Sequence, residues 1–313
     1  IKKIEDIIAK IKTINGIFSL IFKQDNFVII ASDKTRFFPL FYSFINEDLH
    51  ITDTPLDLVK IMPNPQIDNF QKSLFKASGF TFGNDTLIKN IKEVGAAEYI
   101  VFENNKIIQN SFFFTYAITN VNNLDYENLK NIAIEKFEEA FNRLLISLNG
   151  KQVALPLSGG YDSRLIAVML KKFGYENVVC FTYGKKNNVE LKNSQNTANK
   201  LGYKWYFIEY TKELIKNYLY TDLFRNYAIY AGKITSMPYL QEYFATKYLI
   251  ENNIIDKDAI FIPGHSGDLL GGSQFIKVFD ETIKMNEIAR KYFKKKFFLS
   301  KIESIDAKKI YNY

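Results

Sequence analysis

The chain has 313 residues, a formal charge of +7 and the hydrophobic content of an ordinary globular protein. That length suits about two domains with a substantial core. No run of about 18 apolar residues occurs, which argues against a membrane span, and a single cysteine, Cys180, excludes any disulfide within the chain.

The first part reads as β-rich. Residues 16–22 and 27–31 look like two strands joined by the polar turn Lys23-Gln24-Asp25-Asn26. Helices are expected near 56–61 and 70–76. Further strands are expected at 98–102 and 107–114, around the turn Glu103-Asn104-Asn105-Lys106. The polar stretch Val121-Asn122-Asn123-Leu124 marks a change of pattern. The domain boundary is placed there, giving domains 1–120 and 121–313.

A long amphipathic helix follows, with Ile132, Phe137, Ala140, Phe141, Leu144, Leu145 and Leu148 near one face. Apolar strands at 152–157, 178–182, 204–208 and 259–263 then alternate with helices near 164–173, 191–201, 212–224 and 239–251. Fully apolar strands between helices imply a parallel sheet covered on both faces, with ligands at the carboxyl ends of its strands.

The first of these strands ends in Leu157-Ser158-Gly159-Gly160-Tyr161-Asp162-Ser163-Arg164 and runs into a helix. Two glycines let the backbone approach a bulky anion, and the helix N-terminus offers unpaired N–H groups and positive dipole. Ser158 and Ser163 add hydroxyls. Asp162 beside a phosphate site makes sense with a divalent cation between them. The plainer alternative is a glycine turn in which Asp162 and Ser163 only cap a helix.

A second cluster, Pro263-Gly264-His265-Ser266-Gly267-Asp268 with Gly271-Gly272, follows the last strand. In a parallel sheet it opens on the same edge, so Asp268 could share Mg²⁺ with Asp162. His265 has a suitable intrinsic basicity for a general base, or is a hydrogen-bonded loop histidine.

These two clusters resemble the pyrophosphate loop and second motif of the asparagine synthetase branch of the N-type ATP pyrophosphatases. Asp33-Lys34-Thr35-Arg36-Phe37-Phe38-Pro39-Leu40-Phe41-Tyr42 is similar to a signature of class II glutamine amidotransferase domains. The resemblance implies an Ntn-type αββα sandwich, truncated at its start and lacking its nucleophilic Cys. A doubly wound parallel-sheet ATP pyrophosphatase domain follows. A chain opening on Ile is expected to have lost an N-terminal stretch, and relatives would continue past Tyr313.

The implied function is an AMP-forming amide ligase of asparagine synthetase type, with ATP and Mg²⁺ as cofactors. ATP is assigned to Leu157, Ser158, Gly159, Gly160, Asp162, Ser163, Thr182 and Gly264. The metal is assigned to Asp162 and Asp268. His265 is the candidate base, and Arg164 could reach a phosphate or a substrate carboxylate. Ser236-Met237-Pro238-Tyr239-Leu240 resembles a stretch that opens a helix beside the acyl substrate, and Glu190 stands where the family often has an acid.

The expected partners are a small-molecule carboxylate and ammonia or another amine donor, with a homodimer left open. In the family's second motif, His265 and Leu269 stand in place of glutamates, so another carboxylate such as a sugar acid, or a nucleotide-binding remnant, remain as alternatives. The densest basic run, at 290–296, reads as a solvated helix face, and no nucleic-acid or membrane partner is expected. A cytoplasmic location fits the single cysteine.

Overall fold

The computed structural model describes residues 2–116, 124–186, 189–265 and 267, with isolated positions beyond. The chain divides into two compact units. One lies mainly within Ile1–Thr119 and Asn226–Pro238, the other within Asn120–Arg225 and Tyr239–Ile283.

The first unit opens with helix α1 (Lys2–Thr13), followed by strands β1 (Ser19–Gln24), β2 (Phe27–Ser32), β3 (Phe41–Ile45) and β4 (Asp48–Thr52). Helices α2 (Pro55–Ile61) and α3 (Asn69–Ser78) precede β5 (Lys92–Glu93), β6 (Glu98–Glu103) and β7 (Lys106–Phe112). Strands β1-β2-β6-β7 form one antiparallel sheet and β4-β3-β5 another. Ile8 and Ile11 of α1 pack on Ile29, Ala31 and Val101. The opposite face of that sheet, with Ile30, Ile100 and Phe102, meets Leu40, Tyr42 and Val94. Phe41 and Ile45 then cover Leu58 of α2. The layers are therefore helix, sheet, sheet, helix, each burying one apolar face.

The segment 226–238 packs in this first unit, although sequence pattern kept it with the second half. Thr81 N donates to Thr235 O at 2.7 Å and Leu87 N to Ile234 O at 3.0 Å.

The second unit contains α4 (Tyr126–Leu148), β8 (Val153–Pro156), α5 (Tyr161–Lys172), β9 (Val178–Gly184), α6 (Val189–Leu201), β10 (Lys204–Glu209) and α7 (Lys212–Leu219). Helix α8 (Asp222–Gly232) starts in this unit and ends in the other. Helix α9 (Tyr243–Glu251) and β11 (Ile260–Phe261) complete the described elements.

The sheet order is β10-β9-β8-β11 and every pairing is parallel. Val153, Leu155, Val178 and Cys180 face α4, α5 and α6. Ala154, Val179, Phe181 and Ile208 face α7 and α9. Helices on both faces explain why the inner strands β8 and β9 are largely apolar, whereas the edge strand β10 carries the exposed Lys204 and Tyr206. Only the C-terminal half of α4 meets this core: Phe141 and Leu148 are buried, while Ile132 is 43% exposed. The apolar stripe read from sequence thus runs past the surface it has to cover.

Among the described residues, no helix is long and apolar enough to cross a membrane. The basic run at 290–296 lies almost wholly outside the described residues.

Candidate functional site

Strand β8 is central, with β9 on one side and β11 on the other. The connection after β8 and the one after β11 therefore leave adjacent parallel strands in the crevice where the strand order reverses. In open α/β sheets that crevice is where ligands bind.

Gly160 (φ −77°, ψ 172°) is the N-cap of α5 and contributes no side-chain cap. The N–H groups of Tyr161, Asp162 and Ser163 occupy the first turn, where no intrahelical acceptor exists. The turn is braced from within. Ser158 N donates to Ser163 Oγ at 3.1 Å, the two hydroxyls lie 3.0 Å apart, and Gly160 N donates to Ser158 Oγ at 3.1 Å. The serines thus shape the loop as well as offering hydroxyls to a ligand.

The neighbouring loop closes tightly on this turn. A β-carbon at Gly264 would stand 2.8 Å from Ser163 N and 3.1 Å from its Cα. One at Gly267 would stand 2.6 Å from Asp162 Oδ1. On the other side, a β-carbon at Gly159 would meet Glu190 Cα at 3.0 Å. A β-carbon at Gly264 or Gly267 would force a shift of its neighbour, and one at Gly159 would push Glu190 aside by a few tenths of an ångström, so all three contacts favour glycine.

The cavity between the loops measures about 390 Å³. Leu157, Ser158, Gly160, Asp162, Ser163, Thr182, Gly264 and His265 all line it, so the structure brings most of the expected site residues together. Glu190 lines it as well. Asp268, with Gly271 and Gly272, lies outside the described residues, and so the expected pairing of its carboxylate with Asp162 does too. Among the described residues no group of three or more His, Cys, Asp or Glu side chains is placed to hold a metal ion.

Two expected residues are engaged internally. Arg164 Nη2 donates to Gly159 O at 3.0 Å, and its guanidinium lies 5.2 Å from the Tyr161 ring centroid. Its Nε is buried without a hydrogen-bond partner among the described residues. Arg164 therefore braces the loop from behind. Thr182 is buried, its hydroxyl 2.7 Å from Leu157 O and 2.9 Å from Ser194 Oγ, and it accepts from Trp205 Nε1 at 3.0 Å. It ties β8, β9, α6 and β10 together beneath the cavity.

Phe181, Tyr183 and Tyr239 add aromatic rings to the cavity lining. His265 Nε2 lies 3.2 Å from Tyr239 Oη, with the rings edge to face at 4.8 Å. Tyr239 Oη donates to Gln241 Oε1 at 3.0 Å. Tyr183 stacks on Tyr210 at 5.1 Å. Burial first, then a hydrogen bond with Tyr239 and the charge of Glu242, push the Tyr183 hydroxyl well above the ordinary phenol range. Burial lifts the Glu242 carboxyl above its ordinary value, opposed by the nearby His265 and a hydrogen bond from Tyr183. Sequence reasoning missed Glu242, and it assigned no role to the Tyr183 side chain. Helix α9 begins at Tyr243 rather than near 239, so Pro238 and Tyr239 lie on an irregular approach to it.

A model of a family of unknown function, DUF7411, matches residues 151–232. No curated protein matches the chain. An NH3-dependent NAD synthetase from Campylobacter jejuni, solved with nitrate, is 18% identical. The match covers 60% of this chain and 82% of that one, with a TM-score of 0.31. A predicted subunit of tRNA methyltransferase from Methanocaldococcus jannaschii is 21% identical over 47% of this chain and 65% of that chain, with a TM-score of 0.21. The chain thus spans just under two thirds of that second protein. Superpositions this loose transfer no residue role.

The asparagine synthetase resemblance is corrected by these findings. Neither the family model nor the solved structures named is an asparagine synthetase or a glutamine amidotransferase. The Ntn-type assignment of the first unit falls with it. A helix-sheet-sheet-helix layering is a general way to bury two antiparallel sheets and carries no chemistry of its own. The motif at residues 33–42 has a structural explanation instead. Asp33 is buried and accepts from Thr35 N at 2.7 Å, Thr35 Oγ1 at 2.6 Å, Phe37 N at 3.1 Å and Phe18 N at 3.2 Å. Arg36 pairs with the buried Glu93 at 3.0 Å.

Proposed function

We propose that the second unit binds ATP at the Ser158 turn and catalyses an AMP-forming ligation of a carboxylic acid to an amine. One observation carries this reading. Two glycine loops leave adjacent parallel strands and press together so that Asp162, the serine pair and the N-terminus of α5 face one cavity.

In this reading a carboxylate oxygen of the acid attacks the α-phosphorus. An O–P bond forms, the bond to pyrophosphate breaks, and an acyl-adenylate remains. The amine nitrogen then attacks the acyl carbon, a C–N bond forms, AMP leaves with its oxygen, and the amine proton passes to His265. The α5 N-terminus and the serine hydroxyls hold the leaving pyrophosphate, where fixed donors are worth most. Asp162 would hold Mg²⁺, which when bound neutralises charge on the phosphates. Arg164 acts by positioning, since it fixes the Gly159 carbonyl. His265 at the cavity rim, oriented by Tyr239, is the candidate base.

The test is ATP–pyrophosphate exchange with a panel of amino, sugar and simple aliphatic acids, with Asp162→Ala as control. Exchange dependent on one acid and lost in the variant supports the reading; absence of exchange with every acid overturns it.

A second reading, nucleotide binding without turnover, is favoured by one feature. No Lys or Arg lines the cavity among the described residues, so phosphate charge has only backbone dipoles, hydroxyls and a bound cation to meet it. ATP binding without exchange in the same assay would select it.

A further inference from the structure

The part of the cavity lined by Tyr183, Tyr239 and Glu242 is built differently from the Ser158 turn. Glu242 sits immediately before α9, half-buried, and accepts a hydrogen bond from Tyr183. The rings of Tyr183 and Tyr239 line the same cavity. His265 is exposed, and its Nε2 already meets the Tyr239 hydroxyl at 3.2 Å. No other lining residue among those described can carry positive charge.

A carboxylate sharing a cavity with two electron-rich rings, and with no Lys or Arg lining it among the described residues, suits an organic cation. The carboxylate supplies opposite charge where water is partly excluded, and each ring face adds cation–π attraction. A carboxylate or phosphate at this wall would instead meet like charge. Burial already holds the Glu242 carboxyl above its ordinary range, so a cationic guest would relieve an existing penalty.

We propose that Glu242, Tyr183 and Tyr239 form a subsite for the amine partner, which binds as an organic ammonium ion, releases one proton to water to free its lone pair for attack, and passes the second to His265 as the C–N bond forms. The acceptor class this names is an organic amine. This rests on the ligase reading above, and it names the substrate class for the second half-reaction.

The subsite can be tested by binding alone. Butylammonium chloride, butanol and sodium butyrate are titrated into the full chain and followed by calorimetry and by saturation-transfer NMR. Butylammonium is expected to bind, with neither butanol nor butyrate reaching the same affinity. E242Q keeps shape and removes charge, so it should weaken butylammonium binding by about tenfold or more, corresponding to about 1.4 kcal/mol. Tyr239→Leu should weaken it by a smaller factor, and Tyr183→Phe, which keeps the ring, should weaken it least. Circular dichroism of each variant checks that it is folded.

Equal binding of butanol, or full affinity in folded E242Q, overturns the subsite. Amine binding with no acid-dependent exchange overturns the ligase reading and leaves the subsite standing. Exchange without amine binding does the reverse.

Discussion

The backbone nitrogen of Ser163 lies so close to Gly264 that a β-carbon there would stand only 2.8 Å away. The contact joins the first turn of α5 to the loop after β11. Its backbone partner cannot swing aside as a flexible side chain could. Gly264→Ala is therefore expected to force the loops apart, at a cost of about 1–3 kcal/mol by the scale of overpacked cores. Thermal unfolding measures the cost. Acid-dependent pyrophosphate exchange should fall much further than stability does, because the loops shape the site directly.

Ser163→Ala removes the acceptor of Ser158 N and the partner of the Ser158 hydroxyl. Loss of stability should be modest, about 1–2 kcal/mol. ATP affinity should drop more sharply than for Ser158→Ala: each hydroxyl makes two contacts within the turn, but Ser163 is buried while Ser158 is exposed, where water can take its place. Nucleotide binding by calorimetry on the two variants checks the order.

Asp33 gives a pH prediction with a definite sign. Burial opposes its ionisation, but hydrogen bonds from the Thr35 hydroxyl and the N–H groups of Thr35, Phe37 and Phe18 hold its carboxyl below the usual value of 3.8. A carboxyl lowered on folding stabilises the protein above the unfolded value. That contribution is lost as pH falls from near 3.8 through the lower folded value. Asp33→Ala should cost about 2–4 kcal/mol at neutral pH and flatten this part of the acid-unfolding curve. An unchanged acid limb would argue against the bonding arrangement at residues 33–37.

Cys180 is wholly buried in the centre of β9, and burial pushes its thiol up to about 12. A thiol-directed reagent at neutral pH should leave native protein unlabelled and modify it only after unfolding. Rapid stoichiometric labelling in native buffer would contradict that burial.

The architecture of the second unit was readable because its inner strands β8 and β9 are largely apolar on both faces and glycines fall at their ends. The pairing of Tyr239 with His265 was not, since 26 residues separate them and only sheet order brings them together. Nor was the break between α7 and α8. No Gly or Pro marks it; instead the Thr221 hydroxyl accepts from Phe224 N at 3.2 Å and restarts the helix. The β3–β4 hairpin escaped notice for a similar reason. It turns through Asn46 and Glu47 at φ 52° and 69°, and Glu is an uncommon residue for that conformation. Motif similarity misled more than periodicity did: Asp33 and Arg36 matched a signature, and their contacts are structural.

Strand β11 pairs with β8 over only two residues, Ile260 with Val153 and Phe261 with Ala154. It is also the outermost strand on its side of the described sheet. Its ladder should therefore open long before that of β8, which is bonded on both flanks. Half of the site thus rides on the most easily released piece of the sheet. In hydrogen–deuterium exchange, a ligand spanning both loops should slow the amides of β11 far more than those of β8.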